Sequence, residues 1–469
     1  MFRHLAIISA ALVAVLAIFL ASPLLAQADG ASAPLTVEER LYGLSLIWKE
    51  ASYNFAFFDR VPELDWDEAY RRFIPEVTAA SSEIEYYDQL MRFCALLRDG
   101  HTRIFPPQTY RDLHDRPNVL VLDIEGQAVI AAVGESLKGA VPVGSSIVEV
   151  DGLRTDEYLE SNLIPAICAS TEEFRREVGI IRLLEGPAES DVSIGILTPS
   201  GETRAVSLKR NSRDLDEPKV NTYPRTDRRL ESRRLEGGIV YIALNTFADP
   251  GIVGDFEVLL PELRGSAGIV LDLRRNGGGE SDIGYAILAH LIDEPATTYR
   301  WKTRVHCAAY KAWGKWTSEF PPEELADLDA KRKEYLEHYR GDAWREGGPD
   351  TIRPAVADVY TGPIAVLIGP MTGSAAEDFL VALGPCDRAV FIGRRTAGFT
   401  GTPLIFDLPG GGLALINTTR EMFADGTLIQ NGIEPDIEAL ETVQDVIDGN
   451  DPALNAALSF CTGGLPPGR

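Results

Sequence analysis

Basic residues are scarce in this chain, and the shortage restricts what the protein can bind. Of its 469 residues, 45 are Lys or Arg and 70 are Asp or Glu, so the formal net charge is −25. Phosphate groups are bound by basic patches. We therefore expect no nucleic acid partner, and the charge also disfavours binding to anionic membrane surfaces.

Cysteine is scarce as well. The five cysteines are widely spaced and none belongs to a C-x-x-C pair, which argues against a zinc site and against a thioredoxin-like redox motif. An exported chain meets oxidising conditions, in which one disulfide is expected. Cys386 with Cys461 is the pairing that we predict.

The N-terminus carries the pattern of a signal peptide. Arg3 and His4 are basic, an apolar run follows (LAIISAALVAVLAIFLASPLLA), and AQA at residues 26–28 offers small residues for cleavage. We expect residues 1–28 to be removed and the rest of the chain to be exported to the periplasm or the cell exterior. The run is also long enough to span a bilayer, so an uncleaved membrane tether is the alternative.

The hydrophobic pattern divides the rest of the chain into three regions and a tail. Apolar residues at three- and four-residue spacing predict an N-terminal helical domain at 35–113. Short strands separated by Gly- and Asp-rich turns follow at 117–209. Continuous apolar strands that alternate with helices predict an α/β core at 225–440, with a parallel sheet covered on both faces. A C-terminal tail occupies 441–469.

Two segments interrupt this plan. A charged stretch at 210–234 is expected to link the second and third regions. An insert at 300–350 holds four of the six tryptophans and a strongly charged helix. The insert is either a cap over the edge of the core or a lid that forms a wall of the substrate site.

One segment of the second region resembles a PDZ-type domain. In VPVGSSIVEVDGLRTDEYLES (141–161) a Gly turn leads into a strand, an Asp-Gly turn follows, and a short helix comes next. Such domains bind an extended peptide as an added strand, and main-chain hydrogen bonds supply the affinity. A small β-rich structural module is the alternative.

A glycine-rich turn follows the second strand of the core. In GIVLDLRRNGGGESDIGYAIL (268–288) a buried strand ends in three glycines that open a helix. The spacing fits neither the dinucleotide nor the P-loop pattern, and Glu280 and Asp282 would repel phosphate. An oxyanion hole built from the N–H groups of the turn is the better interpretation, and a plain tight turn is the alternative.

Ser374 occupies a comparable place, after the strand PIAVLIGP and before a helix. Ser374 and Glu377 fit a capping box, which would give the serine a purely structural role. The strand–turn–helix context also exposes a side chain at the edge of the sheet, as nucleophile elbows do, although the G-x-S-x-G spelling is absent. Residues alone leave both roles open.

A nucleophilic serine needs a base, and the sequence restricts the choice. No lysine occurs after Lys333, so a Ser-Lys dyad that uses the strand after the serine helix is impossible. Histidine is the next candidate. His101 lies in a turn flanked by Asp99 and Thr102, where a base or a merely solvated side chain would both fit.

Three motifs in fixed order resemble those of the tail-specific, C-terminal-processing and tricorn-type serine peptidases. They are LDLRRNGGG (271–279), TGSAAEDF (372–379) and GIEPDIEA (432–439). DGHT (99–102) resembles the histidine-using branch, which includes relatives of interphotoreceptor retinoid-binding protein. The resemblance covers nearly all of the chain after the signal segment. It implies an α/β, crotonase-like (ClpP/crotonase-type) catalytic core beside a helical domain and a PDZ-like domain.

The resemblance also implies roles for individual residues. Ser374 matches the nucleophile and His101 the general base, while the backbone N–H groups of Ala375 and Gly278 match the oxyanion hole. Processing-type relatives carry a lysine where this chain has Phe399, which again favours histidine. Glu377 and Gln430 are the two candidates for a supporting residue that orients the base.

We therefore expect an exported serine-type endopeptidase that acts on a peptide or protein substrate through an acyl-enzyme. No metal and no organic cofactor is implied. The alternatives are a non-catalytic carrier of hydrophobic ligands, as in retinoid-binding relatives, and a peptide-binding scaffold. The sequence indicates no oligomeric state.

Overall fold

The structure is a computed structural model, and it describes residues 34–218, 220, 228–355 and 359–463. The predicted signal peptide at 1–28 lies outside the described residues. Within those ranges, none of the helices has the length and apolar character needed to cross a membrane.

The described chain begins with three helices, as the apolar spacing predicts. They are α1 (Val37–Asn54), α2 (Trp66–Ala79) and α3 (Glu83–Ala95). Each starts at an N-cap whose side-chain oxygen accepts a backbone N–H three residues later, and the caps are Thr36, Asp65 and Ser82. Their buried faces share one cluster rich in aromatic side chains, so the three helices form a packed unit.

This helical region is nevertheless not self-contained. After α3 the chain forms β1 (Arg103–Phe105), which pairs antiparallel with β20 (Leu413–Asn417), and β20 pairs in turn with β19 (Pro403–Asp407). The first region ends with α4 (Gln108–Asp112) and β2 (His114–Asp115). A strand pairing across about 300 residues therefore fixes the N-terminal helices to the last third of the chain.

The second region is an antiparallel sheet, in agreement with its predicted short strands. Its spatial order is β3 (Val119–Ile124), β4 (Gln127–Val133), β5 (Ser146–Val150), β8 (Asp191–Leu197) and β9 (Thr203–Lys209). The smaller elements are β6 (Leu153–Arg154), α5 (Thr155–Tyr158) and β7 (Gly186–Pro187). Helix α6 (Glu172–Ile181) packs beside β3 at the edge of this sheet.

The charged stretch at 210–234 was expected to be a linker, and its end is instead a strand. Leu230–Arg234 forms β10, which pairs antiparallel with β11 (Ile239–Leu244). An edge strand is held by backbone hydrogen bonds and leaves its outer side chains in water, so charged residues suit it. That composition hides the strand from a hydrophobic pattern.

The core contains the predicted parallel sheet. Its order is β10, β11, β12 (Gly268–Asp272), β17 (Ile364–Ile368), β18 (Ala389–Gly393) and β22 (Ile437–Glu438). Every pair except the first is parallel. Successive side chains of each strand enter opposite faces, which produces two separate apolar clusters.

Helices cover both faces of this sheet, as continuous apolar strands require. One face is covered by α7 (Gly251–Arg264), α8 (Ser281–Leu288) and α12 (Ala375–Leu383). The other face is covered by α14 (Pro452–Cys461), which follows α13 (Val443–Asp448). The stretch at 441–469, expected to be a tail, thus supplies part of the core.

The insert is attached to the core by strands. β14 (Arg300–Arg304) pairs with β15 (Trp344–Gly347) and β21 (Thr419–Met422), and β13 (Ala296–Thr297) pairs with β16 (Thr351–Ile352). Between them lie α9 (Ala308–Thr317), α10 (Pro322–Ala326) and α11 (Ala330–Arg340). Trp344 packs against the N-terminal aromatic cluster. The insert therefore joins the core to the N-terminal helices.

The predicted Cys386–Cys461 disulfide is wrong. Cys461 belongs to the cluster on one face of the parallel sheet, and Cys386 packs against the cluster on the other face. The sheet itself separates the two thiols. All five cysteines are free.

If α14 is part of the core, truncating its buried Phe460 should destabilise the whole protein. Phe460 is 8 % exposed, and Phe460→Ala is expected to lower the free energy of unfolding by about 3 kcal/mol, since large-to-small core changes lose burial and leave a cavity. The midpoint of urea unfolding measures the loss. Val258→Ala, at an exposed position on α7, is the control and should change stability by less than about 0.5 kcal/mol; equal effects of the two variants would contradict the placement of α14.

Candidate active site

Ser374 lies at the carboxyl end of the parallel sheet, in the turn between β17 and α12. Its φ of 55° and ψ of −130° form a strained backbone for a residue with a side chain. An ordinary cap needs no such strain, and Thr36, which caps α1, has a relaxed φ of −67°. A strained strand-to-helix turn of this kind is typical of a nucleophile elbow.

The capping box predicted for Ser374 and Glu377 is present. The Glu377 carboxylate accepts the Ser374 N–H at 3.2 Å. The Glu377 N–H, however, donates to the carbonyl oxygen of Ser374 at 2.7 Å. The Glu377 N–H therefore does not hold the Ser374 hydroxyl in a full capping hydrogen bond. The structural role and the chemical role of this serine are compatible.

Glu377 fixes the loop after β18 to the serine turn. Its fully buried carboxylate also accepts hydrogen bonds from the Thr396 hydroxyl, the Gly398 N–H (2.8 Å) and the Phe399 N–H (3.1 Å). Burial raises the pKa of Glu377 to about 8, and these donors oppose the rise. Because its oxygens are occupied in this way, Glu377 positions the loop.

The glycine turn after β12 contacts the serine directly. Gly278 has a φ of +103°, and a Cβ added there would lie 2.5 Å from the Ser374 Cβ and 3.0 Å from the Ala375 nitrogen. Only glycine allows this close approach with this backbone conformation. The three glycines are therefore more than a plain tight turn, because one of them forms a wall of the Ser374 site.

The two predicted oxyanion donors differ in their availability. The Ala375 N–H, in the first turn of α12, donates to no partner among the described residues. The Gly278 N–H donates to the Asn276 side-chain oxygen at 2.9 Å. Ala375 therefore offers an open donor beside Ser374, whereas Gly278 would have to share its N–H with Asn276.

His101 lies in the turn between α3 and β1 and is half-buried. Burial and the nearby Arg103 guanidinium lower the pKa of the imidazole to about 3, while the Gly401 carbonyl opposes the shift. The ring is thus neutral at neutral pH, which is the form that accepts a proton. Its Nδ1 is buried and has no hydrogen-bond partner.

Phe399 connects the two predicted catalytic residues. Its ring lies 5.6 Å from the His101 ring, measured between centroids, and its carbonyl accepts the Ser374 N–H at 2.9 Å. A Cβ on Gly100 or on Gly373 would collide with Phe399. The turns that carry His101 and Ser374 therefore contact one residue, although no hydrogen bond joins imidazole and hydroxyl.

The structure brings neither candidate supporting residue to the imidazole. Glu377 binds the loop described above. Gln430 is buried and donates to the Thr400 carbonyl and hydroxyl at 3.1 Å each, while its Oε1 is without a partner. Asp99, although next but one to His101 in sequence, accepts from the Asn417 side chain at 3.2 Å.

A buried pair of carboxyl groups lies beside the site, and the sequence did not reveal it. Asp378, next to Glu377 on α12, and Glu421, on β21, are 4 % and 3 % exposed, and each has one oxygen without a hydrogen-bond partner, Asp378 Oδ1 and Glu421 Oε2. The charge of Asp378 acts on Glu421, and two buried carboxyls that repel each other cannot both ionise easily. Only the chain fold brings these residues together, so no local motif could have indicated the pair.

The environment of this pair favours its protonated state. Burial raises the pKa of Asp378 to about 7, and the Ser281 hydroxyl, which donates to Asp378 at 2.6 Å, opposes the rise. Burial, and then the charge of Asp378, raise the pKa of Glu421 well above its usual range. Glu421 belongs to the strand that pairs with the insert, so the pair joins the serine helix to the insert.

A cavity of the described chain lies away from the Ser374 side chain. A volume of about 860 Å³ separates the second region from the carboxyl end of the parallel sheet, and neither Ser374 nor His101 lines it. Within the part of the chain that the structure describes, no group of three or more His, Cys, Asp or Glu side chains is arranged to hold a metal ion.

Similarity to known proteins indicates a serine-type peptidase. Residues 238–439, which form most of the α/β core, match the model of Peptidase family S41. Its relatives include the carboxyl-terminal-processing protease of Picosynechococcus sp. (strain PCC 7002), which is 24% identical over 387 residues, 81% of this chain and 79% of the relative. The chloroplastic carboxyl-terminal-processing peptidase 2 of Arabidopsis thaliana is 24% identical over 366 residues, 75% of this chain and 60% of the relative.

Solved structures share the fold over most of the chain. Mature CPAF matches with a TM-score of 0.67 and 16% identity, over 91% of this chain and 96% of that one. A peptidase structure from Parabacteroides merdae matches with a TM-score of 0.52 and 16% identity, over 92% and 98%. The mixed α/β architecture of this chain is thus shared with these structures.

The close approach of Gly278 to Ser374 predicts a specific loss of reactivity. Gly278→Ala should reduce the rate of labelling by a fluorophosphonate probe by at least about 10²-fold, because the new methyl displaces Ser374 and the Ala375 N–H. Gly426→Ala is the matched control, since Gly426 has a φ of +90° but nothing within 4 Å of an added Cβ. In Gly426→Ala the added methyl introduces only backbone strain. An unchanged labelling rate in Gly278→Ala would contradict the role of the turn.

The carboxyl pair predicts a dependence of stability on pH. The folded chain holds a proton on Asp378 up to about pH 7, whereas the usual pKa of 3.8 means that the unfolded chain releases it earlier. Asp378 therefore makes its full contribution to the free energy of unfolding below about pH 4. This contribution is lost as the pH rises to about 7. Asp378→Asn should flatten the fall of Tm between these values.

The control for this test is Asp387→Asn, at an exposed position outside the pair. It should leave the slope of Tm against pH as in the wild type. A slope in Asp378→Asn that equals that of the control would show that the pair is not held protonated.

Proposed function

We propose that this protein is an exported serine endopeptidase in which Ser374 is the nucleophile and His101 the general base. The observation that carries the proposal is the strained backbone of Ser374 beside an open N–H of Ala375. A capping role does not explain the strained backbone. The neutral imidazole on the other side of Phe399 supplies a group that can accept the serine proton.

The reaction would proceed through an acyl-enzyme. His101 removes the proton of Ser374 as the hydroxyl oxygen attacks the peptide carbonyl, and it later protonates the leaving amine. The Ala375 N–H, and the Gly278 N–H if Asn276 shares it, stabilise the negative charge on the tetrahedral intermediate. Imidazole and hydroxyl must move into hydrogen-bond distance for this step, and such contacts often tighten only when substrate binds.

The other regions have proposed roles as well. The core would be crotonase-like, and the second region would be a PDZ-like domain that binds substrate as a strand added next to α6, where β3 is an edge of the sheet. The names of the cyanobacterial and plant relatives suggest processing near the C-terminus of a protein substrate. Residues 1–28 would direct the chain out of the cytoplasm, or tether it if they are retained.

Covalent labelling with a fluorophosphonate probe tests the nucleophile. The wild type and Ser459→Ala, which alters an exposed serine on α14, should be labelled, whereas Ser374→Ala should not. His101→Gln should lower the labelling rate by about 10²- to 10⁴-fold, and the exposed His306→Gln should not change it.

Two outcomes would contradict the proposal. Labelling that persists in Ser374→Ala would assign the nucleophile to another residue. A wild type that is not labelled but binds a hydrophobic ligand or a peptide without turnover would identify a carrier or a scaffold on the same fold.

A further inference from the structure

Two of the free cysteines lie in contact at the junction between the N-terminal helices and the second region. Cys94 is in the last turn of α3, and Cys168 is in the segment that leads into α6. The Cys168 thiol is near enough to raise the pKa of the Cys94 thiol. Cys94 is fully buried, whereas Cys168 is partly exposed and packs against the same aromatic-rich cluster.

The segment around Cys168 is docked on the turn that carries His101. The Gly100 N–H donates to the Ser170 hydroxyl at 3.0 Å. Arg60 donates to the Ser170 carbonyl at 3.2 Å, and Arg92 on α3 donates to the Asn162 carbonyl at 3.3 Å. The contact between the thiols thus belongs to a polar and apolar interface that is already formed.

The charges around the thiols set their reactivity. Hydrogen bonding to Cys168 and burial raise the pKa of Cys94 well above its usual range, and the carboxylate of Asp99 adds to this effect. The Arg103 guanidinium faces both thiols and opposes the rise. Since the thiolate is the nucleophile in disulfide exchange, the raised pKa of Cys94 makes the rate of its attack depend on pH.

We propose that Cys94 and Cys168 are a dithiol site that forms a reversible disulfide between α3 and the segment before α6. The packing of both side chains in one cluster and the exposure of Cys168 alone define both partners and the order of reaction. The oxidant is a low-molecular-weight disulfide, such as oxidised glutathione. This proposal does not depend on the peptidase mechanism.

The reaction is balanced by that oxidant. The Cys168 thiolate attacks one sulfur of oxidised glutathione, which breaks the glutathione S–S bond and releases one glutathione thiolate. The Cys94 thiolate then attacks the Cys168 sulfur, forms the protein disulfide and releases the second glutathione. The two cysteine protons pass to the two glutathione thiolates, so one disulfide is reduced for each one formed.

The bond would restrain the region around His101. It closes a loop of about 74 residues, and such a cross-link stabilises mainly by restricting the unfolded chain. It also holds Ser170 against Gly100, next to the imidazole. Oxidation should therefore raise Tm by several degrees relative to the reduced protein.

The experiment uses the full folded chain, incubated with oxidised or with reduced glutathione and then quenched with acid. Thiol titration after denaturation should show that oxidation removes two of the five thiols. Intact mass should show no retained glutathione, and a peptide map should link the Cys94 and Cys168 peptides. Raising the pH should accelerate the second step about tenfold per unit, since thiolate is the reactant.

Variants provide matched controls. Cys386→Ser should still lose two thiols and gain in Tm, whereas Cys94→Ser should stop at the mixed disulfide on Cys168 and show no gain in Tm. Retention of all five thiols in the wild type, or a peptide map that links any other pair, would overturn the proposal. The map of the wild type decides the pairing even if a serine variant fails to fold.

Discussion

The buried Asn276 links the ends of three parallel strands through its side chain and its backbone carbonyl, and the Ser374 turn is attached to it. Its amide donates to the Leu244 carbonyl at the end of β11, and its Oδ1 accepts the Gly278 N–H, both at 2.9 Å. Its own carbonyl accepts the Gly373 N–H at 3.1 Å. A fully buried amide is costly to leave unpaired, so the loss of any one of these bonds would destabilise the turn. The glycine turn and the serine turn are therefore fixed against each other.

The second constraint is the loop that carries Phe399. The Glu377 carboxylate binds its backbone, so the serine helix determines where Phe399 lies. Phe399 in turn separates Gly100 from Gly373. In this way a group on α12 positions the loop against which the His101 turn packs. The relative placement of Ser374 and His101 therefore depends on three distant chain segments.

Desolvation sets the electrostatics of this part of the molecule. The chain carries a formal charge of −25, yet the groups around the serine are kept neutral or paired. Burial lowers the pKa of His101 and raises those of Asp378 and Glu421, so each titratable group is pushed towards its uncharged form. A low local dielectric also strengthens the few dipoles aimed at the reacting atoms. The acidic surface and the uncharged centre are thus separate features.

The sequence by itself determined the features that rest on local pattern. The apolar spacing of the first helices, the continuous apolar core strands, the glycine turn and the Ser374–Glu377 capping box all follow from residues a few positions apart, and each is present. Only the tertiary structure decided the pairing of β1 with β20, the strand at the end of the charged stretch, the packing of α14, the Asp378–Glu421 pair and the contact of Cys94 with Cys168. Such contacts join residues far apart in the chain. No periodicity or spacing in the sequence around one partner specifies the other, so only the folding of the whole chain brings them together.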